Sequence, residues 1–229
     1  MPDVSPTTSN HRPAPANGAS TDPATLVRRA LLASARELDT ALGTTSPHDR
    51  RRHKALDRWF AGYAEQLRRH LQLVDALVLP ALSRRGALPA ADLDALAEDH
   101  AWIDQLVSDL GDALGVLSFD LGSAAWWLGR AHDLAGTLAH VLQVQFGHED
   151  ELLTPLLVDH LTDDELETLR VEVVDAVASG PVRFSLAWLR AHVSTDDWAA
   201  LASYTSAASR LLGLTARGAY ARSALAALR

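Results

Sequence analysis

The stretch HLQLVDALVLPAL (residues 70–82) has a second version further along the chain, QFGHEDELLTPLL (residues 145–157). When the two are aligned on Pro80 and Pro155, an aspartate precedes each proline by five residues and a leucine follows it by two. Both stretches have the apolar spacing of a helix that faces a core and then leaves it at a proline. We call them the first and second exit motifs. Their repetition predicts two helices of the same design in one bundle.

Each exit motif keeps one half of a metal-binding pair. The position ten residues before the proline is His70 in the first motif and Gln145 in the second, and the position six before it is Val74 and Glu149. Residues four apart share one face of a helix. A histidine and a carboxylate at this spacing on two helices are how a helix bundle builds a metal site in its core. The sequence therefore predicts an incomplete metal cage.

Composition restricts the fold and the partners. Apolar residues make up 48% of the 229 residues and aromatic residues 6%, and helix formers dominate, so we expect an all-α protein with a substantial core. A net charge of -8 without a basic block argues against nucleic acid. Without cysteine, a metal has to be held by histidine, carboxylate or amide groups. We expect no membrane span and no signal segment, and hence a cytoplasmic protein.

Start and stop signals divide the chain into a tail, a bundle and an extension. Residues 1–22 are rich in Pro, Ser, Thr and Ala, which predicts a disordered tail. Four long helices are predicted over residues 22–43, 46–82, 89–115 and 123–155, with a kink or an end at Pro80. Because the connections are short, they predict an up-down-up-down four-helix bundle over residues 23–160.

A C-terminal helical extension is predicted over residues 161–229. Residues 162–165 have the pattern of a capping box, which opens a fifth helix that ends near Gly180. Shorter helices follow around residues 184–192, 196–212 and 219–229. Their aromatic residues Trp188, Trp198 and Tyr204 are expected to close one side or end of the bundle, or to form the surface of a homodimer.

The exit motifs resemble those of the hemerythrin-like (HHE) cation-binding family. In that family the second and fourth helices of a four-helix bundle each carry His-x-x-x-Glu ahead of a Leu/Pro-rich exit, and the first and third helices carry single histidines. The chain is similar to this frame in both exit motifs and at Glu98-Asp99-His100, over about residues 25–160. The resemblance implies a bundle with a di-iron site in its core.

The departures from the family pattern change this expectation. Carried over residue by residue, the resemblance implies ligands only at His70, His100 and Glu149. Val74 and Gln145 stand where a glutamate and a histidine belong, and the first helix contains no histidine. A di-iron centre needs two ions that are each held by several nitrogen and oxygen ligands. We therefore predict that the di-iron centre has been lost.

Three neighbours of these residues differ in their orientation toward the site. Asp104 follows His100 by four residues and is the best candidate for a further ligand. Asp75 is rotated by about 100° from the preceding residue and is expected to point away from the site. His148 is rotated by only about 60° from Gln145 and is expected beside the site.

The leading hypothesis is a metal-free pocket that binds a small organic molecule, with a place in specialised metabolism. A histidine beside a carboxylate can move a proton near neutral pH, so the pocket can also support acid–base chemistry. The catalytic residues are predicted to be Tyr63, His70, His100 and Glu149. The remaining pocket residues are predicted to be Trp59, Val74, Gln145 and His148.

Two alternatives remain open at this stage. One is a mononuclear non-haem site for a single iron or manganese ion. Its predicted ligands are His70, His100, Glu149 and Asp104, with Gln145 as the other candidate. The second alternative is a structural or regulatory bundle with an inert core, because buried polar groups need partners whether or not they do chemistry.

Overall fold

The computed structural model of the chain describes residues 22–119, 122–181, 184–205 and 207–229. Every regular element within these ranges is helical, in agreement with the all-α prediction. The tail predicted for residues 1–22 lies, apart from Asp22, outside the described residues. In chain order the helices are α1 (Pro23–Thr44), α2 (Arg50–Leu73), α3 (Leu79–Arg84), α4 (Ala90–Phe119), α5 (Ala124–His148), α6 (Thr154–His160), α7 (Asp163–Ala178), α8 (Ser185–His192), α9 (Thr195–Leu201) and α10 (Ala207–Leu228).

The long helices α1, α2, α4 and α5 pack around a common core. α4 contacts both α5 and α2, and α1 contacts both α5 and α2. α7 lies against α1 and α2, while α10 lies against α2 and α8. The C-terminal helices thus pack on the helix that carries the first exit motif. Among the described helices, none combines the length and the apolar character that a membrane span requires.

Two helix starts follow the capping signals in the sequence. The Asp22 carboxylate accepts a hydrogen bond from the Thr25 amide (3.1 Å), which satisfies one of the free N–H groups at the start of α1. Thr162 and Glu165 form the predicted reciprocal capping box of α7. α2 differs from the prediction, because it begins behind Asp49 rather than at residue 47, after a turn over residues 46–49.

Both exit motifs contain a π-helical segment that the sequence analysis did not predict. These segments are Val74–Val78 and Glu149–Leu153, and each begins six residues before the proline of its motif. Proline has no amide hydrogen and its ring clashes with the preceding turn of an α-helix. The wider π-turn relieves that clash, so both helices continue. The fourth predicted helix therefore runs to His160 rather than ending at Pro155.

The apolar residues form two clusters. The main core lies between the long helices and the C-terminal helices, and Trp59 and Tyr63 are fully buried in it. A second cluster lies at the end of the molecule where the two exit motifs, the start of α4 and the adjoining part of α7 meet. Its buried members are Val74, Val78, Leu79, Leu82, Leu88, Leu96, Leu153 and Leu161.

The aromatic residues of the C-terminal helices pack into the main core. Trp188 is fully buried and donates a hydrogen bond from Nε1 to Ser34 Oγ (2.8 Å). The Phe184 ring lies between Trp188 and Trp59. Trp198 and Tyr204 are partly buried against the same core. Because Trp188 is part of the core of its own chain, it cannot contribute to the dimer surface considered above.

Candidate functional site

Polar side chains from the four long helices meet where the two apolar clusters adjoin. The residues are Arg28 of α1, His70 of α2, His100 of α4, Gln145 of α5 and Glu149, which opens the second π-segment. Each is at most 7% exposed. We call them the central polar cluster. The structure thus brings together four residues that the sequence analysis predicted for the site, and it adds Arg28.

Glu149 is the centre of this cluster. Its Oε2 lies 3.4 Å from His70 Nε2 and 3.6 Å from Arg28 Nη1, and its Oε1 accepts a hydrogen bond from Gln145 Nε2 (3.3 Å). Burial alone raises the pKa of the Glu149 carboxyl. The His100 and His70 rings and the Arg28 guanidinium outweigh burial and hold that pKa well below its usual range. Glu149 is therefore an ionised carboxylate at neutral pH.

Arg28 occupies a buried position on the first helix. Its Nη2 donates hydrogen bonds to Thr25 Oγ1 (3.1 Å) and to the Asp150 carboxylate. Because its Nη1 also faces Glu149, the guanidinium supplies the permanent positive charge that a buried carboxylate needs. The first helix thus provides an arginine where the resemblance to the hemerythrin-like family implies a histidine.

His100 connects the central polar cluster with the surface. Its Nδ1 lies 2.6 Å from Asp75 Oδ1, and the Asp75 side chain is 45% exposed. Burial lowers the pKa of His100. The hydrogen bond to Asp75 and the interaction with Glu149 outweigh burial and raise the pKa to about 9. His100 is therefore an imidazolium at neutral pH. Asp75 is part of the site, whereas its rotation on the helix had predicted that it points away.

The proton on His100 fixes the orientation of the Gln145 amide. Gln145 Nε2 lies 3.2 Å from His100 Nε2, and this contact suits a neutral ring whose Nε2 accepts a hydrogen bond. An imidazolium donates from both nitrogens, so the amide then turns its oxygen toward the ring. The same Nε2 donates to Glu149 Oε1 (3.3 Å), so an amide turned in this way gives up that hydrogen bond, and the His100 Nε2–H group faces Glu149 Oε1 at 3.8 Å instead.

The cluster does not suit a metal ion. Among the described residues, no three His, Asp or Glu side chains are arranged to hold one. Both ring nitrogens of His100 already face polar partners, and Arg28 lies beside the carboxylate that would have to be the central ligand. A fixed guanidinium at this distance repels a divalent cation. The mononuclear alternative is therefore not supported by the arrangement of its predicted ligands.

A pocket of about 240 Å³ opens beside the central polar cluster. Arg28, His70 and Glu149 form its polar end, and Asp22 and Arg170, which lie 3.8 Å apart, are at its rim. The rest of the wall is almost entirely apolar. It is formed mainly by Leu73, Val74, Val78, Leu153, Leu157, Leu166, Leu169 and Val173. An apolar cavity with a few convergent polar groups is the usual form of a small-molecule site.

Three polar atoms at the inner end of the pocket have no hydrogen-bond partner within the described chain. They are Arg28 Nε, His70 Nε2 and Glu149 Oε2, and all three are buried. The 3.4 Å contact between His70 and Glu149 is close enough for an ion pair but is not aligned as a hydrogen bond. Buried polar atoms in proteins are almost always hydrogen-bonded. This group of atoms is therefore poised to bind a polar group from outside the chain.

Two aromatic residues predicted for the site lie elsewhere. The Tyr63 hydroxyl donates a hydrogen bond to the Leu31 carbonyl (3.2 Å), and the Tyr63 ring stacks on Trp59 at 5.6 Å. Neither residue lines the pocket. Burial raises the pKa of Tyr63 far above its ordinary value. Tyr63 is thus a core residue rather than a proton donor, because its two turns of separation from His70 place it deep in the main core.

Two polar residues predicted for the site also lie outside it. Asp104 is exposed and pairs with Arg68 (2.7 Å), because its position on α4 faces outward from His100. His148 is exposed as well, on the outer side of α5. Val74 and Gln145 are where they were predicted, since Val74 lines the pocket and Gln145 contacts both His100 and Glu149.

The roles of the two aspartates of the exit motifs and of the arginine were not predicted from the sequence. Asp75 and Asp150 hold the same register, and each contacts a buried cation from a neighbouring helix, His100 and Arg28 respectively. Their identical offset from the prolines was a usable signal. Arg28 could have been suspected because Leu31, three residues further on, shares its face of the helix.

The comparisons with known proteins give no indication of the function. No protein-family model, no curated protein and no solved structure matches the chain. The resemblance to the hemerythrin-like family therefore rests on the exit motifs and on Glu98-Asp99-His100 alone. What the site does has to be inferred from the charges, contacts and cavity described above.

Proposed function

We propose that this protein is a hemerythrin-like four-helix bundle that has lost its di-iron centre and binds a small organic molecule in the pocket beside the central polar cluster. In this proposal residues 23–160 form an up-down-up-down bundle and residues 161–229 an extension packed on it. The contacts of α1, α2, α4 and α5 with one another support the bundle. The packing of α7 on α1 and α2 supports the extension.

The loss of the metal centre is supported by the position of Arg28. Its guanidinium lies 3.6 Å from the carboxylate that the resemblance implies as a metal ligand. A charged arginine at this position neutralises Glu149 without a metal ion. The cage implied by the family would thus have become a cavity with a fixed internal charge pair.

The observation that carries the proposal is the set of unpartnered atoms at the inner end of an otherwise apolar pocket. Apolar walls favour an apolar molecule, and Arg28, His70 and Glu149 favour one polar group on it. The volume of about 240 Å³ suits a compact molecule rather than a nucleotide cofactor.

Calorimetric titration with octan-1-ol tests the proposal on the full chain. We expect binding to the native protein and its loss in the Leu169→Trp variant, because the indole fills the pocket. Val171→Trp is the matched control, since Val171 lies on the same helix but is 37% exposed and outside the pocket lining. Equal binding by both variants, or no binding to the native protein, would contradict the proposal.

Acid–base chemistry on the bound molecule is the second part of the proposal. His70 and Glu149 lie 3.4 Å apart at the end of the pocket, so the His70 ring can exchange a proton with a bound molecule while the ionised Glu149 carboxylate orients that molecule. We expect the protein to accelerate exchange of the α-hydrogens of octan-2-one with D₂O, as followed by NMR. His70→Gln should remove the acceleration. If native protein and buffer give equal exchange rates, the pocket only binds.

A further inference from the structure

The unpartnered atoms of the pocket differ in their hydrogen-bonding character. Arg28 Nε carries a hydrogen and can only donate, whereas Glu149 Oε2 belongs to an ionised carboxylate and can only accept. His70 Nε2 donates or accepts according to its tautomer. All three residues line the same end of the pocket, and their side chains are more than nine-tenths buried. A bound group has to satisfy both a donor and an acceptor there.

A carboxylate or an ammonium group meets only half of this requirement. A carboxylate accepts from Arg28 Nε, but it leaves Glu149 Oε2 without a hydrogen-bond donor and places a second negative charge beside it. An ammonium donates to Glu149 Oε2, but it points further hydrogens at Arg28, whose guanidinium is only 3.6 Å from that carboxylate. An ether or a ketone accepts and does not donate. Leaving a buried donor or acceptor unmet costs about 1–3 kcal/mol.

A hydroxyl group meets the whole requirement, because its oxygen accepts while its hydrogen is donated. We propose that the pocket is a site for a neutral alcohol, whose hydroxyl donates to Glu149 Oε2 and accepts from Arg28 Nε while its apolar body lies along the exit motifs. This inference rests on the proposed function and specifies the class of molecule. His70 Nε2 adds a third contact to the same oxygen or hydrogen.

The walls of the pocket agree with a ligand that has one polar group. Val74, Val78, Leu153, Leu157 and Leu169 surround the space between the polar end and the rim. None of these side chains offers a hydrogen bond to a second polar group on the body of the ligand. The other polar residues of the lining are Thr154 and, at the rim, Asp22 and Arg170, which face each other.

Four probes with matched bodies test the inference by calorimetry at neutral pH. They are octan-1-ol, its isomer 1-methoxyheptane, octanoate and octylammonium. The ether has the same composition as the alcohol but no O–H group to donate, so it separates hydrogen-bond donation from apolar burial. We expect octan-1-ol to bind at least about tenfold more tightly than each of the others, the loss of one buried hydrogen bond.

The results separate the inference from the proposed function. If the ether binds as tightly as the alcohol, or if octanoate or octylammonium binds more tightly, the neutral-alcohol inference is overturned while a small-molecule pocket remains. If none of the four probes binds, both are overturned. Both are supported if the native protein binds the alcohol tenfold more tightly than the other probes and the Leu169→Trp variant does not bind it.

A substitution at the acceptor provides a second measurement. Glu149→Gln keeps the shape of the side chain and removes the charge, and its amide can donate to a carboxylate. We expect the preference for octan-1-ol over octanoate to fall at least threefold in this variant. Glu151→Gln, an exposed change in the same π-segment, should leave the preference unchanged. If Glu149→Gln does not fold, the ranking of the four probes by their affinity for the native protein still tests the neutral-alcohol inference.

Discussion

The first exit motif presents Val74 to the pocket, whereas the second presents Glu149 at the same register, six residues before the proline in each. Both positions begin a π-segment, so the backbone is the same and only the side chain differs. One motif thus supplies part of the apolar wall and the other supplies the buried charge. The difference between an isopropyl group and a carboxylate is what gives the pocket its apolar and polar ends.

The aspartates that follow these positions have similar environments in the two exit motifs. Asp75 and Asp150 are both about half exposed, and each binds a buried cation that reaches it from another helix. Their partners differ, because α4 offers an imidazole and α1 offers a guanidinium. The scaffold of the repeat is therefore preserved at its outer positions and altered at its inner ones. Substitutions that exchange or remove these residues test this description.

The largest effect is expected when the second motif receives the residue of the first. Glu149→Val removes the carboxylate that Arg28, His70 and His100 share and leaves the buried guanidinium with Asp150 as its remaining ion-pair partner. Breaking a buried ion pair from one side costs about 3–5 kcal/mol. We expect a loss of this size in the free energy of unfolding from urea denaturation.

A substitution at an exposed neighbour controls for the π-segment itself. Glu151→Val lies two residues further on and should change the free energy of unfolding by less than about 0.5 kcal/mol. If Glu149→Val and Glu151→Val lowered the free energy of unfolding by similar amounts, the π-segment would tolerate no substitution. The central polar cluster would then contribute nothing of its own to stability.

The reciprocal exchange is expected to have the next largest effect. Val74→Glu places a second carboxylate in the apolar wall beside Glu149, where Arg28 is already paired. Burial of an uncompensated polar group costs about 2–4 kcal/mol. Val74→Leu keeps the wall apolar and should cost less than about 1.5 kcal/mol. Equal stability of both variants in urea denaturation would show that the pocket accommodates a second acid.

The helical fold was predictable because its signals are local. Capping residues, the 3.6-residue apolar period and the Gly and Pro boundaries act within one helix, as at Asp22 and at Thr162. The π-segments were not predictable in this way, because they result from a compromise between a proline and the packing of its neighbours. They matter for the site, since they set the direction of Asp75 and Asp150.

The inner part of the site was predictable and its surroundings were not. His70, His100, Gln145 and Glu149 converge as the spacing of the exit motifs suggested. Arg28 was missed because an arginine in the first turns of a helix is usually solvated, and only packing against other helices reveals that it is buried. His148 was misplaced because a rotation of about 60° is enough to carry a side chain out to solvent.

The pH dependence of stability distinguishes the charged groups of the two motifs. The pKa of His100 is raised from 6.5 to about 9 in the folded state, so its stabilising contribution is complete below pH 6.5 and is lost as the pH rises through 9. The pKa of Glu149 is lowered from 4.5, so its contribution is present above pH 4.5 and is lost as the pH falls below it.

Stability should therefore be greatest between about pH 5 and pH 6.5. From pH 6.5 to pH 9.5 we expect the free energy of unfolding to fall by on the order of 1–2 kcal/mol, reduced because part of the His100 environment is open to solvent. Urea denaturation at a series of pH values measures this. A profile that is flat over that interval would show that His100 is neutral in the folded protein.

The smallest effect is expected when the two outer aspartates are compared. Asp75→Asn and Asp150→Asn each weaken one ion pair of a half-exposed carboxylate, so each should cost only about 1 kcal/mol at pH 6.5. Their pH profiles should differ. Asp75→Asn replaces the carboxylate that does most to raise the pKa of His100 with a neutral amide, so the fall in stability between pH 6.5 and pH 9.5 should shrink.

Asp150→Asn should instead lie parallel to the native profile over the same interval, because Asp150 pairs with Arg28 and not with His100. At pH 9.5 the Asp75→Asn variant and the native protein should converge, since His100 is then largely neutral in both. If both variants ran parallel to the native protein, His100 would not be the titrating group, and the outer aspartates would be equivalent in charge as well as in register.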